Sequence, residues 1–362
     1  MGLAPLEGTA VNRNFRFWIL GFGLRARRSA LIALFAIGPT FSAHAADETQ
    51  DVLIIVGAAG APEYAAGFTA AAEAWRKASA AGGARCTIIG AAGVEEEAAP
   101  EGTPSDKDRV QQWLGALAAG EAAPVWIAYL GHGTFDGREA RLNLRGPDLS
   151  ATEMQAWLAP LHRPLVFVHG GSASGPFLPA LSGPGRVIVT ATEGGNEVNY
   201  ARLGERFAVA VADPDADLDQ DGQTTVLEAF LSAAQHVQVF YTEAQRMATE
   251  HALIDDNGDK RGTPPDWFRG THATKKAEGG ATIDGLAAHR MALVLSEAER
   301  RLTATQRAER DRLEDELERL RGRKATTPAR DYLRELEILL RKLSTIYQTA
   351  PTPMADRPGA DS

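Results

Sequence analysis

Between residues 50 and 190 the chain alternates short, continuously apolar runs with longer segments whose apolar residues recur every three or four positions. Val52–Val56, Cys86–Ile89, Val125–Leu130, Leu165–Val168 and Val187–Thr190 carry the first pattern and predict strands. Glu63–Ala80 and Arg109–Leu117 carry the second and predict helices. Another helix opens at Ser150, where Glu153 stands three residues on, the spacing of a capping box. A short helix from Pro176 and a short extended insertion at Arg141–Leu144 fill two of the gaps, and the acidic stretch near 95–106 reads as a loop. Strands without polar alternation are buried on both faces. Their alternation with helices predicts an α/β fold, a three-layer α/β/α sandwich around a mostly parallel sheet. Such sheets place their chemistry beyond the carboxyl ends of the strands.

The pattern changes after residue 280. Leu313, Leu317 and Leu320 share one helical face; after a break at Gly322–Pro328, Leu333, Leu336, Leu340, Leu343 and Tyr347 follow at alternating spacings of three and four. This heptad pattern predicts a C-terminal α-helical hairpin over 281–348, after an α/β domain over 46–280. The stripe suits either packing on the hairpin's own domain or a coiled coil with a partner or a second copy. Residues 349–362, rich in Pro, Asp and Gly, read as a disordered tail.

The N-terminus changes what counts as the folded protein. Arg25, Arg27 and Arg28 precede an apolar run at Ala30–Ile37, and Ala43-His44-Ala45 supplies small residues for cleavage. Residues 1–45 therefore predict a signal peptide and a periplasmic or secreted product. An uncleaved N-terminal anchor is the alternative, although Gly38 and Pro39 interrupt a run already short for a bilayer span. The full chain has net charge −9; losing five Arg and one Glu with residues 1–45 leaves 33 basic against 46 acidic residues, net −13. That balance argues against nucleic acid and anionic membrane surfaces as partners. The single cysteine, Cys86, excludes an intrachain disulfide and, within an apolar run, reads as an inert core thiol.

The third predicted strand runs into Gly131-His132-Gly133-Thr134, and the fourth into His169-Gly170-Gly171-Ser172-Ala173-Ser174-Gly175. With these residues, the stretch from about 50 to 250 resembles the caspase–legumain peptidase clan, in which His-Gly follows one strand and a Cys-x-Ser-Gly-type turn follows the next. The resemblance implies a caspase-like sheet, with His132 as the acid/base, Ser172 at the nucleophile position and Gly133 in the oxyanion hole. It also implies a peptide or protein segment as ligand. Glu193 and Asn196, in the loop where the clan builds its side-chain pocket, would suit a basic or polar group. The departure is the nucleophile, serine in place of cysteine. A thiol beside histidine ionises readily, whereas a hydroxyl needs a base held by a carboxylate. Asp136 and Glu193 are the candidates for that carboxylate; His169, a second imidazole three residues before Ser172, reads as a polar strand-end residue, with a catalytic role as the alternative. In a clan working largely by a His/Cys dyad, the replacement implies loss of peptidase activity.

A second motif is independent of the first. From Asp217 to Glu228 the sequence matches a twelve-residue EF-hand loop, with Asp217, Asp219 and Asp221 at positions one, three and five, Gly222 at six, Gln223 at seven and Glu228 at twelve. Oxygen ligands at this spacing wrap a hard cation, so Ca²⁺ is the expected cofactor. Thr224 stands at position eight, where an aliphatic side chain is usual. Asp255-Asp256-Asn257-Gly258-Asp259 repeats part of the pattern without a closing glutamate and reads equally as a second cation loop or an Asx-rich turn.

Three functions fit these features. The first is an exported, catalytically silent peptidase homologue that binds calcium and a peptide or protein segment. The second is an active hydrolase using Ser172 and His132, and the third a calcium-dependent structural or interaction protein.

Overall fold

The computed structural model describes residues 49–90, 102–117, 122–277, 279 and 283–351. The signal-peptide segment and all but the first residues of the expected tail lie outside them.

The central sheet has six strands: β1 (Asp51–Val56), β2 (Arg85–Ile89), β3 (Val125–Leu130), β7 (Leu165–His169), β8 (Arg186–Thr190) and β9 (Leu253–Asp255). Their order is β2-β1-β3-β7-β8-β9, parallel throughout except for β9, which runs antiparallel to β8. Between β3 and β7 the chain makes a small antiparallel sheet of β4 (Gly133–Phe135), β5 (Ala140–Leu142) and β6 (Leu149–Ser150). The extended insertion expected at Arg141–Leu144 is part of it. A two-stranded ribbon, β10 (Phe268–Arg269) with β11 (His272–Ala273), lies further along.

Alternation along each strand divides the core between two faces. Val52, Ile54, Val56, Val166 and Val168 pack with Phe68 and Trp75 of α1 (Pro62–Ala81), Phe207 of α5 (Leu203–Ala210) and Phe230 of α6 (Val226–Glu243). Leu53, Ile55, Ile127, Leu165 and Phe167 pack with Val110 of α2 (Asp106–Gly115), Met154 of α3 (Ala151–Leu158) and Phe177 of α4 (Phe177–Leu181). This is the three-layer α/β/α arrangement, and cover on both faces explains the continuous apolar runs inside the central strands. Cys86 is half-buried, and burial pushes its thiol pKa up, as suits an unreactive core residue.

Two helix ends differ from the sequence reading. Helix α2 starts at Asp106 rather than Arg109, because Ser105 Oγ accepts the Asp108 N–H (3.1 Å) while the Asp108 carboxylate accepts the Ser105 N–H (3.0 Å). Helix α6 ends at Glu243, short of the Val226–Ala248 helix that the sequence pattern predicts after the acidic loop. Gln245 takes φ +52°, its N–H bonds to Thr242 O (3.1 Å) and the Arg246 N–H to Tyr241 O (3.0 Å), a Schellman closure without glycine.

The C-terminal part contains α7 (Glu297–Arg301), α8 (Ala304–Gly322) and α9 (Ala329–Gln348), the last two forming an antiparallel hairpin. Leu313, Leu317 and Leu320 of α8 meet Leu339 and Ile346 of α9, with Tyr332, Leu336 and Leu343 beside them. The inward face of α9 is therefore rotated from the expected stripe, leaving Leu333 and Leu340 60% and 50% exposed. Arg290 ties the hairpin to the α/β layers through Glu314 and Asp315 (2.8 Å each), and Arg310 pairs with Glu299 in a buried ion pair. No helix among the described residues is long and apolar enough to cross a membrane.

Candidate functional site

Strands β3 and β7 are neighbours, with Tyr129 opposite His169, so the loops leaving them emerge side by side. Tyr129 anchors the first loop: its buried hydroxyl donates to the His132 carbonyl (2.6 Å), with the Asn143 carbonyl also close (3.1 Å). Burial pushes this phenol's pKa far up, which keeps it a donor. The second loop is bound to the loop after β8 by Ser174 and Thr192, the Thr192 N–H donating to Ser174 Oγ (2.9 Å) and the Gly175 N–H to Thr192 Oγ1 (3.0 Å).

These anchors bring Gly133 and Ser172 together. Ser172 is buried; its Oγ accepts the Gly133 N–H (3.1 Å) and donates to the Gly133 carbonyl (3.2 Å). The N–H that the resemblance assigns to an oxyanion is thus met by the serine hydroxyl. The His132 ring bonds elsewhere, its Nε2 lying 3.2 Å from the Ala59 carbonyl, which makes Nε2 the protonated nitrogen. Tyr64, Phe68 and Tyr200 enclose the ring at centroid distances of 4.8, 5.5 and 5.8 Å.

Among the described residues no carboxylate bonds to the His132 ring. Asp136 is committed to its own turn, accepting the Arg138 and Glu139 N–H groups (2.9 and 2.8 Å) and pairing with Arg141 (2.8 Å). These bonds, led by the Glu139 N–H, lower its pKa to about 2. Glu193 and Asn196 are exposed. Their loop is organised by Glu197, whose carboxylate accepts the Glu193 N–H (3.1 Å) and meets His251 Nδ1 (2.7 Å), while its carbonyl accepts the Ala173 N–H (2.8 Å). Ala173 is fully buried at φ +52°, a conformation that costs a non-glycine residue energy. Sequence reading singled out neither Glu197 nor the aromatic enclosure. Tyr64 and Phe68 are four apart on α1 and so share a face, the signal that was available.

His169 is a fully buried strand-end residue among Tyr129, Phe167 and Phe177. Its Nδ1 accepts the Gly171 N–H (3.2 Å), and burial lowers its pKa to about 3, so it is neutral near pH 7.

The acidic loop before α6 is a separate constellation. Asp217 accepts the N–H groups of Gln220 (2.7 Å) and Gly222 (2.9 Å), and Asp221 that of Gln223 (3.0 Å). Gly222, at φ +91°, makes the turn that its position requires. Fully buried Glu228 accepts from Leu218 N–H (2.9 Å) and from the Thr225 N–H and hydroxyl (2.9 and 2.8 Å), closing the loop over its own helix N-terminus. One oxygen each from Asp217, Asp219 and Asp221 lies within 4.8 Å of the others. Burial, then the neighbouring carboxylates, raise the Asp221 pKa to about 6; burial and then Glu228 raise that of Asp219. His289 Nε2 lies 3.5 Å from Asp219. Gln223 is engaged through its side chain, with Asp221 and with the Ser296 N–H, which leaves its carbonyl for position seven. Rather than pairing with a second EF-hand loop, this one bridges from Thr225 to Ala292. Three converging carboxylates with little countercharge, and Glu228 beneath them on the loop's own N–H groups, are a set that could hold a hard divalent cation.

No family model matches the sequence, and no curated protein matches it. Among solved structures, the chain is similar to caspase-1 from Spodoptera frugiperda at 11% identity and a TM-score of 0.37, over 58% of this chain and 87% of that one. It is similar to the Drosophila initiator caspase Dronc at 10% identity and a TM-score of 0.38, over 59% and 81%. A protein from Geobacter sulfurreducens aligns at 12% identity and a TM-score of 0.35, over 57% and 92%. Likeness at this level carries nothing about activity.

Proposed function

We propose that this chain is an exported, calcium-binding homologue of caspase–legumain-like peptidases that holds a peptide or protein segment at the ends of β3 and β7 without cleaving it. The observation supporting this reading is the engagement of Ser172 Oγ with both backbone groups of Gly133, at 3.1 and 3.2 Å, while His132 Nε2 bonds to Ala59. A serine nucleophile needs its proton taken by an imidazole that a third group orients. Here the hydroxyl and the imidazole each have another partner, and the imidazole has no carboxylate. Glu193 and Asn196, exposed at the rim, would meet a basic or polar side chain of the bound segment. A fluorophosphonate probe should leave the wild-type protein unlabelled. Labelling that disappears in both Ser172→Ala and His132→Ala would instead establish a serine hydrolase, a reading favoured by the strained backbone of Ala173 just after Ser172.

Calcium is assigned to Asp217, Asp219, Asp221 and Glu228 with the carbonyl of Gln223. Ca²⁺ present at about a hundred times its dissociation constant should stabilise the fold by about 2.7 kcal/mol. Thermal melts in Ca²⁺ and in chelator test this; Asp217→Asn combined with Asp221→Asn should remove this site's share of the shift. A shift unaltered by the double substitution would remove the assignment.

A further inference from the structure

The turn that follows β9 repeats the backbone of the acidic loop position by position. In the first loop positions four and six, Gln220 and Gly222, have φ +62° and +91°; in the second the same positions, Gly258 and Lys260, have φ +79° and +68°. Asp217, Asp219 and Asp221 accept the N–H groups of Gln220 (2.7 Å), Asp221 (3.3 Å) and Gln223 (3.0 Å). At corresponding positions, Asp255, Asn257 and Asp259 accept those of Gly258 (3.0 Å), Asp259 (2.8 Å) and Arg261 (2.9 Å). Position nine forms a β-bridge in both, Thr225 with Ala292 and Thr263 with Ile254. Position twelve of the second loop is Asp266, a carboxylate one methylene shorter than Glu228.

Turn geometry alone does not make a site. The observation that points to a ligand is that Asp255 is fully buried and its Oδ2 has no hydrogen-bond partner. Asp259 Oδ2 is enclosed and unpartnered as well. Among the described residues, the one side-chain donor beside Asp255 is the neutral Ser182 hydroxyl, which itself accepts the Lys260 N–H (3.1 Å). Enclosed carboxylate oxygens with no charged donor to meet them are costly unless a cation does. The other acids nearby are already satisfied. Asp284 accepts the N–H groups of Asp256 (3.1 Å) and Asn257 (3.3 Å) and the Thr263 hydroxyl, and Asp256 accepts those of Gly285 (2.9 Å) and Ala288 (2.8 Å). They hold the turn from behind.

We infer that Asp255, Asn257 and Asp259 form a second site for a hard divalent cation of the Ca²⁺ class, at the antiparallel edge of the main sheet. This site stands whether or not the first loop is occupied. Calorimetric titration of the metal-stripped protein with Ca²⁺ should give two ions per chain, falling to one in Asp259→Asn and to one in Asp221→Asn. An ion count left unchanged by Asp259→Asn overturns the inference. A count reduced by Asp259→Asn and untouched by Asp221→Asn sustains it and removes the first-loop assignment instead. Because Asp255 lies in the core, Asp255→Asn is read by melting. In chelator it should melt no lower than wild type, and in Ca²⁺ it should lose part of the metal-induced rise. An equal fall in both conditions would make Asp255 purely structural and count against the site.

Discussion

Gly170→Ala should destabilise the protein by about 3 kcal/mol or more. Gly170 follows β7 directly and lies against Gly204 in the first turn of α5, backbone to backbone. A methyl group on Gly204 would stand 2.8 Å from Gly170 Cα, and one on Gly170 would approach the Gly204 Cα more closely still. Overpacking costs about 1–3 kcal/mol where side chains can yield. Here the obstacle is main chain on both sides, so relief requires strand and helix to separate. The separation would also disturb the Gly171–Ser172 backbone that meets Gly133. Gly183→Ala is the control, since its methyl would meet only Arg186 Cδ at 3.9 Å; a change within about 0.5 kcal/mol is expected there. Urea unfolding midpoints of the two variants make the comparison, and similar midpoints would refute the packing argument.

His169→Phe should flatten the acid limb of the stability curve. The imidazole pKa is about 3 in the folded protein, against an ordinary value of 6.5. Above pH 6.5 both states leave the residue neutral and it contributes no slope. Below that, the unfolded chain takes up a proton that the folded chain refuses until about pH 3, so stability falls as pH falls through this window. At about 1.4 kcal/mol per pH unit, the residue should cost wild type roughly 3 kcal/mol between pH 7 and pH 4. Phenylalanine suits the aromatic surroundings and cannot take up a proton. The variant should therefore lose about 3 kcal/mol less than wild type over that interval, whatever the offset between the two at pH 7. Parallel curves would show that His169 is protonated in the folded state.

Much of this architecture could be read from local pattern. The uninterrupted apolar runs at Val52–Val56 and Val125–Leu130 required burial on both faces, and the intervening helices supplied the cover. The acidic loop was legible for a related reason: its acids and Gly222 lie within one short stretch of sequence, so the turn they make is local. The ends of α2 and α6 were less legible. The acceptor in the first capping box is Asp108 rather than Glu or Gln, and the closure of the second helix uses Gln245 in place of glycine. Strand β9, three residues long, gains its identity from pairing with β8 rather than from its own composition.

Local pattern alone placed a His-Gly turn and a Ser-containing turn after successive strands, because strand ends and glycines are properties of short segments. It also determined that the acids from Asp217 to Glu228 gather in one loop. What those groups bond to once gathered is set by packing between distant segments. The direction in which His132 turns depends on Ala59, Tyr64, Phe68 and Tyr200, and the serine hydroxyl is held by Gly133, 39 residues away in the chain. The enclosed, unpartnered oxygens of Asp255 and Asp259 belong to the same category. Burial and pairing across distant segments are sums over the whole packed chain, and no window of sequence contains them.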